Sequence, residues 1–186
     1  MAGQMLYVVD LKSLIEEMGE HWTKPKISSF DCSSINMDVL LFLHEKAFEF
    51  SKRGFASTHL VFLSDAERTL VGYFAMAVKS FVILGNLKGL TGRMKKHIPN
   101  YSQFHPEANC YVMPVPLIGQ LGKNYAVENK KSIQGCELLT LACNKVKETQ
   151  RVFGGRFVYV ECEDKPRLVS FYQKSDSFNS VNAYLI

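Results

Sequence analysis

The segment PVPLIGQLGKNYAVENKKSIQGCELLTLA, residues 114–142, joins an apolar strand to an amphipathic helix through a polar loop. Two prolines in the strand half, Pro114 and Pro116, do not suit a regular central strand and predict a bulge or an edge position. In the helix half, apolar residues recur at helical spacing from about Gln134, which predicts a buried face formed by Leu138, Leu141, Ala142 and Val146. Two glycines beginning at Gly154 are expected to end the helix, because glycine readily takes a left-handed backbone.

The loop lies where the first backbone N–H groups of the helix lack partners. Such groups and the helix dipole attract anions, and Lys130 and Lys131 adjoin them, so a phosphate or pyrophosphate would fit there. The alternative is an ordinary strand-to-helix turn with solvated lysines, and the glycine-rich dinucleotide and P-loop patterns are absent. Because an irregular strand can pair with an extended, amide-bearing chain, the strand and the loop together predict a site for coenzyme A.

The rest of the sequence predicts one sheet with helices on both faces, a three-layer α/β/α arrangement of α+β type in a single domain over residues 1–186. Asp10 is a plausible N-cap for a first helix, Pro25 is expected to follow its end, and Gly54 is expected to end the second helix. In chain order we expect a helix from residue 10, strand 26–32, helix 35–54, a hairpin of strands 57–64 and 69–84, a long connection 85–109, the irregular strand, the loop and its helix, strand 156–162, helix 164–174 and strand 177–186.

The composition is that of an ordinary globular protein, with 47% hydrophobic and 22% charged residues and a formal net charge of +4. This mild positive charge could favour a polyanionic ligand, but it is well below that of a dedicated nucleic-acid binder. No apolar run approaches the ~18 residues that span a bilayer, and the N-terminal residues lack the pattern of a secretory signal. We therefore expect a cytoplasmic protein that does not associate with membranes.

The cysteines and histidines give no sign of a metal site. The five cysteines form no CxxC pair and are odd in number, and the five histidines show no HxxxH or HExxH spacing. We expect neither a disulfide framework nor a bound metal, and we interpret the cysteines as small apolar core residues.

Three parts of the chain resemble the GCN5-related N-acetyltransferase (GNAT) superfamily. Residues 114–142 are similar to its strand, pyrophosphate loop and helix, and RFVYVECEDKPRLVSFYQKSDSF, residues 156–178, is similar to its fifth strand and FYEKNGF segment. SSFDCSSINMDVLLFLHEKAFEF, residues 28–50, and LVGYFAMA, residues 70–77, resemble a bacterial branch that includes toxins of toxin–antitoxin pairs and phage-borne relatives. The chain departs from the family pattern where SIQG replaces G-x-G and KSDSF replaces KNGF. The resemblance implies a mixed, largely antiparallel central sheet of six or seven strands.

The resemblance also implies an acetyl-CoA-dependent N-acetyltransferase in which a primary amine attacks the thioester directly, in a ternary complex. Main-chain groups of Leu121, Gly122 and Lys123 would then pair with the pantetheine arm. Amides from the loop and the helix start would hold the pyrophosphate: Lys131, Ser132, Ile133, Gln134, Gly135 and Cys136. Tyr172 falls at the tyrosine position of the family and would protonate or stabilise the leaving thiolate, because an ordinary tyrosine pKa of ~10 keeps the phenol protonated at neutral pH.

Several alternatives stay open on the sequence alone. The acceptor amine is not identified, and its base could be any of Glu107, Glu161, Glu163, His105 or an ordered water. A toxin that acetylates aminoacyl-tRNA is one alternative, with phosphate contacts from the basic connection around Arg93 to His97. The basic cluster in this connection can instead be a solvated face: Lys88, Arg93, Lys95, Lys96 and His97. A non-catalytic acyl-CoA-binding module is another, and a homodimer is possible.

Overall fold

The computed structural model describes residues 5–90, 92–128, 133–179 and 183–185. One seven-stranded sheet has the order β1-β2-β3-β5-β6-β7, with β4 pairing along β5. Neighbouring strands are antiparallel except for the β5–β6 and β6–β7 pairs, so the mixed, largely antiparallel sheet implied by the resemblance is confirmed. The strands are β1 (Leu6–Asp10), β2 (Ser57–Leu63), β3 (Leu70–Leu84), β4 (Gln103–His105), β5 (Cys110–Lys123), β6 (Val158–Val160) and β7 (Ala183–Leu185).

Helices cover both faces of this sheet. They are α1 (Leu11–Met18), α2 (Glu20–Ser28), α3 (Met37–Leu41), α4 (Ala47–Arg53), α5 (Gly92–Tyr101), α6 (Gly135–Phe153), α7 (Pro166–Gln173) and α8 (Asp176–Asn179), with a π-helical segment at Phe42–Lys46 between α3 and α4. On one face, α6 and α7 pack on β2, β3, β5 and β6, while the helices from α1 to α5 form two clusters on the other face. Among the described residues no helix is long and apolar enough to cross a bilayer.

Helix α6 has the buried face that the sequence predicts. Leu138, Ala142 and Val146 are at most 1% exposed, and they pack against Phe74 and Ile118 of the sheet, while Leu141 is half-buried. Burial of a leucine side chain contributes about 1.5–3 kcal/mol, so this stripe alone fixes α6 on the sheet. The helix ends at Phe153, and the next residue has a φ of 79°, as expected for a glycine at a helix end.

The first sixty residues depart partly from the sequence-based expectation. Asp10 caps α1 by accepting a hydrogen bond from the Ser13 amide at 3.0 Å, as predicted, but strand β1 immediately before it was not predicted. The strand predicted at residues 26–32 is wrong, because α2 continues through Pro25 to Ser28. Thr23 and Ile27 are 0% and 3% exposed, and their burial in the core outweighs the helix-breaking effect of the proline.

Two later segments also differ from the prediction. The connection at 85–109 holds the ten-residue helix α5 and the strand β4, because Ile98 of α5 is fully buried beneath the sheet and anchors the helix. Of the strand predicted at 177–186, the described residues show a strand at Ala183–Leu185, while residues 177–179 belong to the short helix α8. The hairpin β2–β3, the helical segment 37–53 closed by Gly54, strand β6 and helix α7 all lie where the sequence predicts them.

Strand β5 is irregular, as the prolines predict, but its irregularity lies elsewhere. Along β3, Ala75 pairs with Gln120 and Met76 with Ile118, so Gly119 is an extra, bulged residue. On its other edge, β5 pairs with β6 only at Leu117 and Ile118. From Gly119 to Lys123 the two parallel strands therefore separate, and a wedge opens between the helices of the two faces.

Candidate active site

A cavity of about 570 Å³ occupies this wedge. Seven of the residues predicted for the site line it together: Leu121, Gly122, Lys123, Gln134, Gly135, Cys136 and Tyr172. Pockets of about 300–1,000 Å³ with mostly apolar walls are typical of small-molecule sites. The strand, the helix start and the tyrosine that the sequence singles out separately thus meet in one concave surface.

Strand β5 supplies the floor of the cavity. Residues 120–123 pair with β3 on one edge, and no described strand pairs with their other edge. That edge offers backbone N–H and C=O groups to an extended, amide-bearing ligand. Gly122 has to be glycine, because a Cβ atom there would come within 2.7 Å of the Tyr73 ring and of Val39. Close packing at Gly122 therefore sets how β5 lies beside helix α3.

The N-terminus of α6 forms the next part of the wall. The first N–H groups of a helix, here those of Gly135 and Cys136, have no carbonyl partner one turn earlier in the helix, and both residues line the cavity. The Gln134 amide, however, donates to Glu137 Oε2 at 2.8 Å, in a capping box in which the Gln134 side chain accepts from the Glu137 amide. One predicted phosphate donor is therefore engaged by the protein's own carboxylate.

The remaining predicted loop residues do not face the cavity or are not described. Ile133 is 3% exposed and packs in the core beneath α6, so its side chain contributes to stability rather than to the cavity wall. Lys131 and Ser132 lie outside the described residues. Lys123 also lines the cavity, with its ammonium 5.3 Å from the centre of the Tyr125 ring.

Tyr172 lies on α7, lines the cavity and is 6% exposed. Its ring packs against Phe171 and Phe178, with centroids 5.1 and 5.4 Å away. This burial raises the pKa of the Tyr172 phenol to about 12, and the thiols of Cys162 and Cys143 add to the increase. The hydroxyl is therefore protonated across the physiological range and can donate a hydrogen bond.

One wall of the cavity was not predicted from the sequence. Cys32, Ile35, Asn36 and Val39, from the loop after α2 and from α3, line it opposite α6. Asn36 caps α3 by accepting hydrogen bonds from the Asp38 and Val39 amides, a role that an asparagine before an apolar run signals. Of these residues, Cys32 falls in the strand wrongly predicted at 26–32, and the other three fall in the helix predicted at 35–54.

Asn124, directly after β5, holds that wall in place. It is 1% exposed, and its amide nitrogen donates to the carbonyls of Ser29 and Leu70 at 3.3 and 2.8 Å. Its amide oxygen accepts from the backbone N–H groups of Asp31 and Ala126, each at 3.0 Å. A single side chain thus ties the 29–36 loop to the end of β5.

The four candidate bases lie in different places. Glu107 is exposed in the turn between β4 and β5, and His105 is half-buried in β4. Glu163 forms an ion pair with Lys165 before α7. Glu161 follows β6 directly and lines a second, smaller cavity beside the Gly119 bulge. Among the described residues no group of three or more His, Cys, Asp or Glu side chains could hold a metal ion.

Comparison with known proteins finds likeness in structure only. No family profile matches the sequence, and no curated protein sequence matches it significantly. Among solved structures, a mutant of KacT is similar with a TM-score of 0.64 and 16% identity, covering 92% of this chain and 85% of that chain. AtaT complexed with acetyl-methionyl-tRNAfMet has a TM-score of 0.63 at 18% identity, with 91% and 84% covered. AtaTR bound with AcCoA has a TM-score of 0.57 at 16% identity, with 92% and 83% covered. The chain therefore has the fold of these toxins, the GNAT-like α+β fold that the sequence motifs predict.

Proposed function

We propose that the chain is an acetyl-CoA-dependent N-acetyltransferase that acetylates a primary amine by direct attack in a ternary complex. The observation that supports it most is the single cavity that the open edge of β5, the N-terminus of α6 and Tyr172 line together. A neighbour of the same fold, AtaTR, has a structure bound with AcCoA, which adds support for this donor.

The residues of the cavity fit coenzyme A in three ways. The unpaired edge of β5 at Leu121–Lys123 suits the amides of a pantetheine arm, and the N–H groups of Gly135 and Cys136 suit a pyrophosphate. Tyr172 lines the same cavity, so a bound arm would bring its sulfur towards this phenol. Against this fit, the Glu137 carboxylate bound at the helix start has to move or share the site with the phosphates, since like charges repel.

The bound donor would supply an acetyl thioester, and the chain would supply everything else. A backbone N–H of β5 beside the thioester carbonyl would stabilise the developing negative oxygen, a contribution of ~3–4 kcal/mol for one preorganised donor. The Tyr172 hydroxyl would donate a hydrogen bond to the departing thiolate. Because burial raises the pKa of this phenol to about 12, above the ordinary thiol pKa of ~8.5, the phenol stays protonated, and the sulfur gains the proton that the acetylated nitrogen releases.

Two measurements test this proposal together. A thermal titration with acetyl-CoA and with free CoA should stabilise the protein by ~2.7 kcal/mol at 100 times the dissociation constant, and thiol release should follow addition of an acceptor amine. Tyr172→Phe should keep acetyl-CoA binding and lower turnover by about 10²–10⁴-fold. Tyr7→Phe, in the edge strand β1, is the matched control and should behave as wild type. Wild-type turnover by Tyr172→Phe would remove the proposed role of this phenol, and absence of acetyl-CoA binding would remove the function.

A second candidate function is the acetylation of aminoacyl-tRNA. It is favoured by AtaT, a structural neighbour complexed with acetyl-methionyl-tRNAfMet, and by Lys95 and Lys96, which are both exposed on α5. Replacing both lysines with alanine should reduce tRNA acetylation and leave acetyl-CoA binding unchanged. The dependence of tRNA affinity on salt concentration should become less steep, by an amount that corresponds to the loss of up to about two phosphate contacts. Salt-independent acetylation of a small amine, unaffected by the double change, would count against this candidate.

The third candidate is a module that binds acyl-CoA without catalysis. The departures SIQG and KSDSF from the family pattern motivate it, and the Glu137 carboxylate at the helix start agrees with it. Tight acetyl-CoA binding without thiol release across a broad panel of amines and aminoacyl-tRNAs would favour this candidate over both enzymes.

A further inference from the structure

A second cavity, of about 240 Å³, adjoins β5 at the Gly119 bulge. Gly119 and Gln120 line it, while the next three residues of β5 line the cavity of the candidate active site. The Gln120 side chain donates a hydrogen bond to Asp38 at 3.2 Å, which ties β5 to α3. The two cavities thus approach consecutive residues of one strand.

The interior of the second cavity is apolar. Phe42, Phe50 and Phe55 form one wall, with the Phe50 ring in edge-to-face contact with each of the other two at 5.7 and 5.8 Å. Ala75 and Ala77 of β3 lie opposite, and their small side chains leave the space open. A water occupies about 30 Å³ of liquid volume, so the cavity has room for about eight non-hydrogen atoms. It suits one apolar side chain and is too small for a nucleotide.

The only charged groups that line this cavity, among the described residues, are Glu161 and Lys79, which are both exposed. The Glu161 carboxylate makes no hydrogen bond or ion pair with any described residue. It follows Val160, the last residue of β6, where the wedge between β5 and β6 begins. A carboxylate placed there can bind an ammonium group that approaches β5. The Lys79 ammonium disfavours an acceptor that carries further positive charges, such as a polyamine.

We propose that this second cavity binds the acceptor, that the acceptor is a primary amine whose α-carbon carries a bulky apolar group, and that Glu161 holds its ammonium. The proposal rests on the proposed acetyltransferase function, and it adds the class of substrate. The apolar group lies among the three phenyl rings, the amine faces the Gly119 bulge, and the acetyl donor reaches the same bulge from the other cavity.

Position separates Glu161 from the other carboxylates considered. Glu163 is paired with Lys165, and Glu107 lies in the turn before β5, and neither lines the cavity. Glu107→Gln is therefore a matched control for Glu161→Gln, because both changes remove one exposed negative charge and differ only in place.

The test uses two synthetic conjugates, in which an ethylene bridge joins the CoA sulfur to the amino nitrogen of leucinamide or of glycinamide. The nitrogen stays protonated, and binding is measured by calorimetry, so turnover is not required. We expect the leucinamide conjugate to bind about 10–100-fold more tightly than the glycinamide conjugate, because an apolar pocket discriminates by about this factor. Glu161→Gln should weaken both conjugates about 2–5-fold, as for an exposed ion pair, and leave free CoA unchanged.

Gly119→Leu fills the cavity from its floor. A Cβ at this position would meet Leu117 at 3.5 Å, an ordinary van der Waals contact. The variant should bind free CoA within about threefold of wild type and lose the preference for leucinamide. Equal affinity of wild type for the two conjugates, or a preference that survives Gly119→Leu, would overturn the proposal. If free CoA itself does not bind, the proposed function fails first, and the two failures are thereby distinguished.

Discussion

Asn124→Ala is the change from which most can be learned about how the candidate site is held together. The alanine removes one side chain that makes four hydrogen bonds, to the carbonyls of Ser29 and Leu70 and to the amides of Asp31 and Ala126. None of these backbone groups belongs to the cavity itself. The change therefore separates the support of the 29–36 loop from the chemistry of the site.

The size of the effect follows from the four contacts. The Leu70 carbonyl is in a buried pair, and leaving it without a partner costs about 1–3 kcal/mol, while the three part-buried bonds contribute roughly 0.5–1.5 kcal/mol each. The free energy of unfolding should thus fall by about 3–7 kcal/mol. For a chain of this length about 2–4 °C of Tm corresponds to each kcal/mol, so Tm should fall by at least about 6 °C.

Urea unfolding and calorimetry measure this change, with Asn144→Ala on the exposed face of α6 as the control, which should stay within about 0.5 kcal/mol of wild type. Asn124→Asp keeps both acceptors but places a carboxylate oxygen against two carbonyls. It should therefore be less stable at pH 8 than at pH 4, where the acid can donate one hydrogen bond. Acetyl-CoA affinity should fall in both variants, measured well below their Tm. An Asn124→Ala protein within about 1 kcal/mol of wild type would refute the role of this network.

Three further changes probe the cavity. Glu137→Gln keeps the cap and removes the negative charge at the start of α6. Acetyl-CoA should therefore bind about fivefold more tightly in titrations at low salt, and the gain should be smaller at high salt. An unchanged affinity would mean that this carboxylate already lies away from the phosphates. Gly122→Ala places a Cβ 2.7 Å from Tyr73 and Val39, so the free energy of unfolding should fall by about 1–3 kcal/mol and the affinity for acetyl-CoA should also fall. Wild-type stability of this variant would contradict the close packing at Gly122. Burial raises the pKa of Tyr172 from 10.0 to about 12, so its stabilising contribution is complete below pH 10 and is lost between pH 10 and 12, at about 1.4 kcal/mol per pH unit. In urea unfolding, the free energy of unfolding of Tyr172→Phe should decline less steeply from pH 10 to 12 than that of wild type. Equal slopes for the two proteins would mean that the Tyr172 phenol is exposed to water.

The sequence predicts best where one signal decides the structure alone. The stripe from Leu138 to Val146 specifies a helix because no other element buries that spacing, and Gly154 ends it for a local backbone reason. The mixed, largely antiparallel sheet is implied by the resemblance rather than by any single residue. Helix α2 was missed because Pro25 is a strong local signal, while the burial of Ile27 that overrides it depends on residues distant in sequence.

The candidate site divides in the same way. The contributions of β5, α6 and α7 are local in sequence and could be predicted. The opposite wall at Cys32–Val39 depends on the long-range hydrogen bonds of Asn124, which no periodicity reveals. The engagement of the Gln134 amide by Glu137 was in principle visible, since a glutamate three residues after a polar cap is a capping signal. The prediction of a free phosphate site did not take it into account.

Cys136 gives the molecule a chemical reporter that needs no engineering. Of the five thiols it is the exposed one, while three are buried and Cys162 is partly covered, and it stands on the wall of the larger cavity. A maleimide or iodoacetamide label added briefly to native protein would react first at this sulfur. Mass spectrometry of the alkylated peptide, with and without a bound nucleotide, then reads occupancy of the cavity directly, even for a variant that has lost all turnover.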